Sequence, residues 1–366
     1  MAIWFSINDY GLYLRPRAER WQRDRVDSPT TSVKMVRMEN QIVSKYFSHK
    51  DFTPDLAQAL ERIAKEHGFS LILHAHRRQI YDKLWRVRIE GMWQGKQAML
   101  RVENLKLETD EETIRQAFRA QCRGTKVRPP ETYLSKPFDQ GLGYAFSIEE
   151  LVEGQPLFDP SGDPQQACAA FAPFYRELRR ATVKPFWDTP GQTTREYSIA
   201  QMAKWHELAD RKYPEHTAKV DKLVSRLRTA SMETRDNDLR FMHAHLSGAD
   251  VRVAENGEWV VFANHYWRWS QPGYDIAFPL WGMWLALPTD KLMAEDVQHI
   301  TDTWMAMVRD ELDGLVTTDE LKFMILNRLY GSLLLDLPAK MNLSNAELKR
   351  LEWALISEAE RLLAAP

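Results

Sequence analysis

The stretch Phe241-Met-His-Ala-His-Leu-Ser-Gly-Ala-Asp250 decides the fold, together with the segment Glu258-Trp-Val-Val-Phe-Ala-Asn264 that follows it. The dipeptide Asn256-Gly257 between the two is a strong signal for a tight turn, so the sequence predicts a short β-hairpin here. The hairpin interrupts a region that is otherwise helical in its apolar spacing. Polar side chains that could carry chemistry lie along this stretch: His243, His245, Asp250 and Asn264.

Composition narrows the class of protein. The chain has 366 residues, 44% of them hydrophobic and 27% charged, with a formal net charge of -2, which predicts a folded globular protein with no nucleic-acid partner. Cys122 and Cys168 lack CxxC spacing, so neither a disulfide framework nor a structural zinc site is indicated. The start has no signal-peptide pattern, and no apolar run reaches about 18 to 20 residues, the length of a membrane span. We therefore expect a cytoplasmic protein without a membrane span.

The first 150 residues predict a mixed α+β arrangement. A helix over Asp51–His67 precedes three β-rich runs, and Thr109 with Glu112 forms a capping-box start for a second helix. Two further strands then end near Glu150. The three β-rich runs are Ser70–His76, Leu84–Gly91 and Gln97–Glu103, joined first by a predicted loop over Arg77–Lys83.

The remainder is predicted to be mainly helical. Helical apolar spacing marks Asp163–Ala181, Tyr197–His206 and His216–Met232, and it resumes from Tyr274 onward. A hinge is expected near Glu149–Gly154. The predicted divisions are residues 1–68 as an N-terminal extension with a helix, 69–153 as a first lobe, and 154–366 as a helical lobe.

The order of motifs resembles the aminoglycoside phosphotransferase and choline-kinase-like family, which shares the protein-kinase fold. Ser147–Leu157 is similar to that family's hinge, His243–Asp250 to its HGDxxxxN loop, Trp259–Asn264 to its strand into a metal-binding Asp, and Gly273–Ala277 to its YDxA segment. The resemblance covers about residues 69 to 366. It implies a two-lobed fold with a five-stranded antiparallel sheet and one helix in the N-lobe and a mainly helical C-lobe.

The resemblance also shows where this sequence departs from the family's catalytic pattern. His245 stands at the position of the catalytic Asp, Asp250 at that of the Asn, and Asn264 at that of the metal-binding Asp. An Asp base and a metal carboxylate are the groups on which phosphoryl transfer in this fold depends. His243 matches the family's structural His. The exchanged pair Asp250 and Asn264 keeps one carboxylate and one amide as the candidate metal ligands.

The positions that would hold a nucleotide are altered as well. Arg101 stands at the strand-3 Lys and Gln116 at the helix Glu, while Glu149 and Glu150 belong to the hinge. Arg and Lys are not interchangeable at such a site, because the guanidinium is a planar fork and the ammonium a point charge. The phosphate-covering loop, His74–Lys83, has no glycine. These residues are predicted to form a vestigial nucleotide cleft.

Two functions remain open. The first is a catalytically inactive pseudokinase-like protein that binds or scaffolds a protein or small molecule, with no cofactor assigned. The alternative is an active, atypical phosphotransferase of a small molecule that uses His245 and an exchanged Asp250/Asn264 metal site, with ATP and Mg²⁺ as cofactors. An unrelated α+β protein is a third interpretation, which a structure without a five-stranded lobe before residue 150 would favour.

A run of arginines between Arg15 and Arg25 surrounds Trp21. Such a run could contact an acidic partner, but Glu19, Asp24 and Asp27 alternate with it, which favours a solvated surface. The segment before residue 69 is where a specific partner is expected to bind.

Overall fold

A computed structural model describes residues 54–81, 84–104, 106, 111–181, 185, 188–233, 236–340 and 343–364. Three features that the sequence analysis singled out lie outside the described residues. They are the arginine run, the first residues of the helix predicted from Asp51, and the capping residue Thr109. The described residues divide into two compact units. We call residues 54–112 and 130–151 the sheet unit, and residues 113–129 and 152–364 the helical unit. The division at residues 68 and 153 that the sequence predicts stays a prediction.

The sheet unit contains five antiparallel strands in the order β1-β2-β3-β6-β5, which confirms the predicted sheet. A helix, α1, precedes β1, and a second helix, α2, begins after β3. The bounds are α1 Pro54–His67, β1 Phe69–Tyr81, β2 Leu84–Trp93, β3 Lys96–Glu103, α2 Glu111–Gln121, β5 Thr132–Asp139 and β6 Tyr144–Glu150. Most of α2, and a short strand β4 over Val127–Arg128, belong to the helical unit.

Strand β1 is longer than the sequence predicts. The expected loop over Arg77–Lys83 is wrong in its first five residues, because β1 continues to Tyr81 and Tyr81 lies opposite Leu84. Continuing the ladder pairs backbone amides and carbonyls that an open loop would leave to water. In sequence, two residues separate the end of β1 from the start of β2.

One face of this sheet is apolar and the other is polar. Leu56, Leu60 and Ile63 repeat along one side of α1 and are buried in the same cluster as Val87 and Leu100 of the sheet. Residues on a strand alternate between faces, so the odd-numbered positions of β3 point away from α1. Those positions carry the buried charged residues Arg101 and Glu103.

The helical unit is built from seven α-helices in the part of the chain that the structure describes after residue 151, together with two small sheets. Two of its helices begin with the capping boxes that the sequence contains, at Thr193 with Glu196 and at Thr317 with Glu320. The bounds are β7 Gln155–Pro156, α3 Pro164–Ala181, α4 Thr194–Lys212, α5 Pro214–Glu233, β8 Arg240–His243, β9 Val251–Val253, β10 Trp259–Val261, β11 Trp267–Ser270, α6 Tyr274–Ala286, α7 Ala294–Glu311, α8 Thr318–Gly331 and α9 Asn345–Ala364.

The stretch that opened the sequence forms the small sheets of this unit. Strands β9 and β10 pair as the predicted hairpin within the order β4-β10-β9-β7, and β8 pairs with β11. Gly257 adopts a φ of 78° in the turn, the left-handed conformation that a three-residue hairpin loop requires. Two 3₁₀ turns, Gly248–Asp250 and Asn264–Tyr266, connect these strands to the chain on either side.

Helix α6 lies at the centre of the helical unit. All but one of its residues are buried, and Trp284 and Trp304 are among the largest fully buried side chains. A helix that is apolar on all sides is typical of the interior of a large core. None of the helices in the described part of the chain combines the length and the hydrophobicity needed to cross a membrane.

Two glycines of the helical unit predict opposite effects of the same substitution. A Cβ at Gly248 would lie 2.2 Å from the carbonyl oxygen of Phe158, so Gly248→Ala should destabilise the fold by about 2 kcal/mol. A Cβ at Gly282, inside α6, meets no atom within 4 Å, so Gly282→Ala should stabilise it by up to about 1 kcal/mol. Urea unfolding followed by tryptophan fluorescence measures both. A Gly248→Ala protein as stable as the wild type would contradict the close approach.

Candidate functional site

His243, at the end of β8, is fully buried and holds the turn after β10. Its Nε2 donates to the backbone carbonyl oxygens of Phe262 and Ala263, at 3.0 Å each. Because a carbonyl only accepts, the proton of the neutral imidazole is on Nε2. His243 is thus a structural residue, the role that the sequence assigned to it.

Burial lowers the pKa of His243 to about 4. Removing the imidazolium from water is the largest cause, and the charge of His245 acts in the same direction, while Asp250 and the two carbonyl contacts oppose them. His243 is therefore neutral near pH 7. Its Nδ1 is buried and has no hydrogen-bond partner among the described residues.

His245, two residues further on, contacts the carboxylate of Asp250. Its Nδ1 donates to Oδ2 of Asp250 at 3.1 Å, and both side chains are buried. The imidazole ring also stacks on Tyr266, with the ring centroids 4.1 Å apart, and lies against Phe278. The contacts with these rings and the carboxylate fix the orientation of the His245 ring.

Asp250 receives further hydrogen bonds on the same oxygen. The backbone N–H and the hydroxyl of Ser247 donate to Oδ2 at 2.9 and 2.6 Å. Burial acts to raise the pKa of the Asp250 carboxyl, but the charge and hydrogen bond of His245 and the hydrogen bond from Ser247 outweigh it, so this pKa lies below its ordinary value. The carboxylate is charged and serves as the acceptor that organises residues 245 to 250.

Asn264 occupies the position that the resemblance gives to a metal-binding Asp. It is fully buried, its Nδ2 donates to the carbonyl oxygen of Val261 at 2.9 Å, and its Oδ1 accepts from the indole Nε1 of Trp267 at 3.1 Å. The preceding Ala263 has a φ of 54°, a left-handed conformation that is uncommon outside glycine and asparagine. The hydrogen bonds of the Asn264 amide thus stabilise a turn whose backbone conformation at Ala263 is energetically unfavourable.

The residues at the exchanged positions do not fit a Mg²⁺ site. Mg²⁺ requires near-octahedral coordination by oxygen, usually with one or two carboxylates. Here both polar atoms of Asn264 bind the protein, and Oδ2 of Asp250 accepts three hydrogen bonds. Within the described residues, no group of three or more His, Cys, Asp and Glu side chains could hold a metal ion. The predicted metal role of Asp250 and Asn264 stays a prediction that the donor set does not favour.

In the sheet unit, Arg101 forms a buried ion pair with Glu111 at the start of α2. The resemblance placed Gln116 at the position of the acidic partner; in the structure Glu111 supplies the carboxylate that pairs with Arg101, and Gln116 is exposed. Glu149 is buried and accepts from the hydroxyl of Ser147 at 3.4 Å, and Glu150 accepts from the backbone of Glu131. A nucleotide-binding role for Arg101, Gln116, Glu149 and Glu150 remains a prediction.

Sequence reasoning missed three partners of the site residues. Ser247 precedes Asp250 by three residues, the spacing of a capping box, and this spacing could have indicated the contact. Glu111 belongs to an acidic run at the start of α2 and could have been considered beside Gln116. Trp267 gives no sequence signal for its bond to Asn264, because the distance is set by the 3₁₀ turn between them.

A surface cavity of about 250 Å³ lies elsewhere in the helical unit. His216, Lys219, Lys349 and Glu352 are among its lining residues, and Lys219 forms a bidentate contact with Glu352. None of the predicted site residues lines this cavity.

The low pKa of His243 predicts a loss of stability in mild acid. The folded state binds this proton only near pH 4, whereas an unfolded histidine binds it near pH 6.5, so stability is full above pH 6.5 and falls as the pH drops toward 4. Between pH 7 and 5 we expect a loss of about 2 kcal/mol from this group. Urea unfolding at the two pH values measures it. His243→Gln should lose less between pH 7 and 5, whereas the exposed control His299→Gln should match the wild type; equal losses in all three would contradict the assignment.

The two hydrogen bonds of Asn264 predict that an acidic residue there is costly. Asn264→Asp loses the donor to Val261 and buries a charge, so we expect a destabilisation of about 3 kcal/mol. Asn264→Ala should cost a similar amount, because it leaves the Trp267 indole without its acceptor. The exposed Asn345→Asp, at the start of α9, should change stability by less than about 0.5 kcal/mol. Urea midpoints compare the three variants, and a stable Asn264→Asp protein would show that the amide is not required.

No family model and no curated protein matches this sequence. Several solved structures, however, are similar to this chain in their fold. Aminoglycoside phosphotransferase APH(4)-Ia superposes with a TM-score of 0.50 at 15% identity, over 85% of this chain and 100% of that one. A thermostable mutant of the same protein, in a ternary complex with AMP-PNP and hygromycin B, gives a TM-score of 0.52 at 15% identity, over 84% of this chain and 97% of that one. The apo thermostable mutant gives 0.51 at 14% identity, over 83% and 97%. The chain therefore has the kinase-like fold of the aminoglycoside phosphotransferases.

Proposed function

We propose that this chain is a catalytically inactive member of the kinase-like fold that works as a binding or scaffolding protein. The fold supplies the architecture of a phosphotransferase. The residues at its catalytic positions form hydrogen bonds and ion pairs within the protein that account for their presence without chemistry.

One observation carries the proposal: both polar atoms of the Asn264 amide are bonded inside the turn, to Val261 and Trp267. Phosphoryl transfer in this fold depends on a carboxylate at that position to hold the metal that bridges the phosphates. A neutral amide contributes no charge to a metal site. An amide whose oxygen already accepts from an indole would also have to exchange a buried hydrogen bond for a metal ligand.

The catalytic base position gives independent support. A base must reach the proton that it removes. His245 is buried, its ring stacks on Tyr266, and its Nδ1 is directed at Asp250. This hydrogen bond gives the Asp250 carboxylate a donor, so the imidazole and the carboxylate are hydrogen-bond partners of each other.

The contact between His245 and Asp250 also favours the second candidate, an active but atypical phosphotransferase acting on a small molecule. A carboxylate bonded to Nδ1 fixes the tautomer in which Nε2 of a neutral imidazole is the basic nitrogen. Nε2 would then accept the hydroxyl proton of the substrate as its oxygen attacks the γ-phosphoryl group of ATP and ADP leaves. Loss of the metal carboxylate makes this the weaker candidate.

The proposal predicts no nucleotide turnover. Full-length protein incubated with ATP, with Mg²⁺ or Mn²⁺ and with small-molecule acceptors such as hygromycin B, should release ADP no faster than a blank without protein. A coupled ADP assay measures this. Asp250→Ala, checked for its fold by circular dichroism, is the matched control and should give the same background.

Divalent-dependent ADP release that disappears in Asp250→Ala would overturn the proposal and support the active enzyme. Release that persists unchanged in Asp250→Ala would be a contaminating activity and would leave the proposal standing. His245→Gln separates the two roles of the histidine, since only the active enzyme would lose turnover through it.

A further inference from the structure

The surface cavity of the helical unit lies between the first turns of α5 and α9. Its volume is about 250 Å³, and since a water molecule takes about 30 Å³ of liquid, there is room for roughly eight waters or one small organic molecule. The lining residues are His216 and Lys219 from α5, Asn345, Leu348, Lys349 and Glu352 from α9, and Leu337 between the two helices in sequence.

A π turn forms one side of this cavity. The turn covers Ser332–Asp336 and follows α8 directly. Single π turns are rare, and they occur frequently at functional sites. The amide of Leu337 donates to the carbonyl oxygen of Ser332, five residues earlier, at 3.0 Å. The π turn therefore ends at the residue that contributes its side chain to the wall of the cavity.

His216 binds the π turn from the side of α5. Its Nε2 donates to the carbonyl oxygen of Leu333 at 2.6 Å. In a π pattern the donor to this carbonyl would come from residue 338, but that residue is Pro338, which has no amide proton. The imidazole supplies the missing donor. This contact fixes the distance between α5 and the π turn, and with it the width of the cavity.

The charges that line the cavity do not cancel. The ammonium group of Lys219 donates to both carboxylate oxygens of Glu352, at 2.8 and 2.7 Å. Glu352 is the only acidic residue among the described residues that line the cavity, and Lys219 neutralises it. Lys349 is exposed and forms no ion pair or hydrogen bond within the described part of the chain. Two lysines and one glutamate thus leave one positive charge.

Glu347, two residues before Lys349 on α9, has other partners. Its carboxylate accepts from the backbone N–H of Ser344 at 2.7 Å, and its own backbone N–H donates to the Ser344 hydroxyl at 3.3 Å. This reciprocal arrangement is a capping box at the start of the helix. The ammonium group of Lys349 therefore keeps its charge for a ligand.

The cavity also has an apolar part. Leu337 is buried, and Leu348 is half-buried and packs against the main core. An apolar group that covers these leucines is removed from water, which stabilises a complex by about 25 cal/mol per Å² of apolar surface. Apolar walls with a few polar groups that fix orientation are typical of small-molecule sites.

We propose that this cavity binds a small monocarboxylate with an apolar body. The carboxylate pairs with the ammonium group of Lys349 in a charge-assisted hydrogen bond, and the apolar body lies against Leu337 and Leu348. The side-chain amide of Asn345 offers a further N–H donor at the same end of α9. The inference goes beyond the proposed function, because none of these residues stands at a catalytic-type position.

The test titrates the full-length protein with benzoate at low ionic strength, well below its Tm, and follows binding by ligand-observed NMR. Benzamide keeps the ring without the charge, and acetate keeps the charge without the ring. Benzoate should bind saturably, and both comparison probes should bind more weakly. Absence of saturable benzoate binding would overturn the proposal, and so would benzamide or acetate binding as tightly as benzoate.

Variants locate the site. Lys349→Gln should weaken benzoate binding about three- to fivefold, the effect expected of one exposed ion pair, and Lys349→Arg should restore most of it. Asn345→Asp places a negative charge at the cavity and should weaken binding by a similar factor. Lys222→Gln changes an exposed lysine of α5 that does not line the cavity, so this matched control should bind as the wild type does.

The Tm without ligand separates binding from a structural role. Lys349→Gln and Asn345→Asp should unfold at the wild-type temperature, because both side chains are exposed and lose no recorded contact. If Lys349→Gln unfolds earlier, Asn345→Asp decides, and unchanged binding in it would overturn the proposal. Wild-type affinity in Lys349→Gln would also overturn it, as would an equal loss in Lys222→Gln. ADP release from ATP would overturn only the proposed function, whereas absent benzoate binding would overturn only this inference.

Discussion

The helical unit depends on one buried interaction, the donation from Nε2 of His243 to the carbonyl oxygens of Phe262 and Ala263. It joins the end of β8 to the residues that follow β10, which lie about twenty positions further along the chain. The left-handed backbone of Ala263 is held in place by this contact. Asn264 then follows at the start of a 3₁₀ turn, where its amide reaches both Val261 and Trp267.

Hydrogen bonding within the protein also accounts for the orientation of the polar side chains in the segment from residue 243 to residue 264. A phosphotransferase of this fold keeps a base and a metal carboxylate directed at its substrates. Here the carboxylate of Asp250 is directed at His245 and Ser247, and the amide of Asn264 is directed at its own turn. Each exchanged residue is compatible with the frame because it completes a hydrogen bond inside it. Restoring any one of them would break a bond without rebuilding the set.

In the sheet unit, buried charged side chains form ion pairs with one another. Its polar face holds cations in pairs with carboxylates, and Arg101 with Glu111 shows that a cation and an acid still meet between β3 and α2. Arg88 is the exception, a guanidinium whose Nε lacks an acceptor among the described residues.

The sequence by itself determined the fold, because strand and helix periods, the Asn256-Gly257 turn and the order of motifs are local patterns. Through its resemblance to a known family, it also predicted that His245, Asp250 and Asn264 stand at positions that differ from that family's catalytic pattern. Only the tertiary structure decided what those residues do. Trp267 as the partner of Asn264 and Glu111 as the partner of Arg101 depend on a turn and on a helix position, and a linear pattern does not specify the distance between side chains that such contacts require.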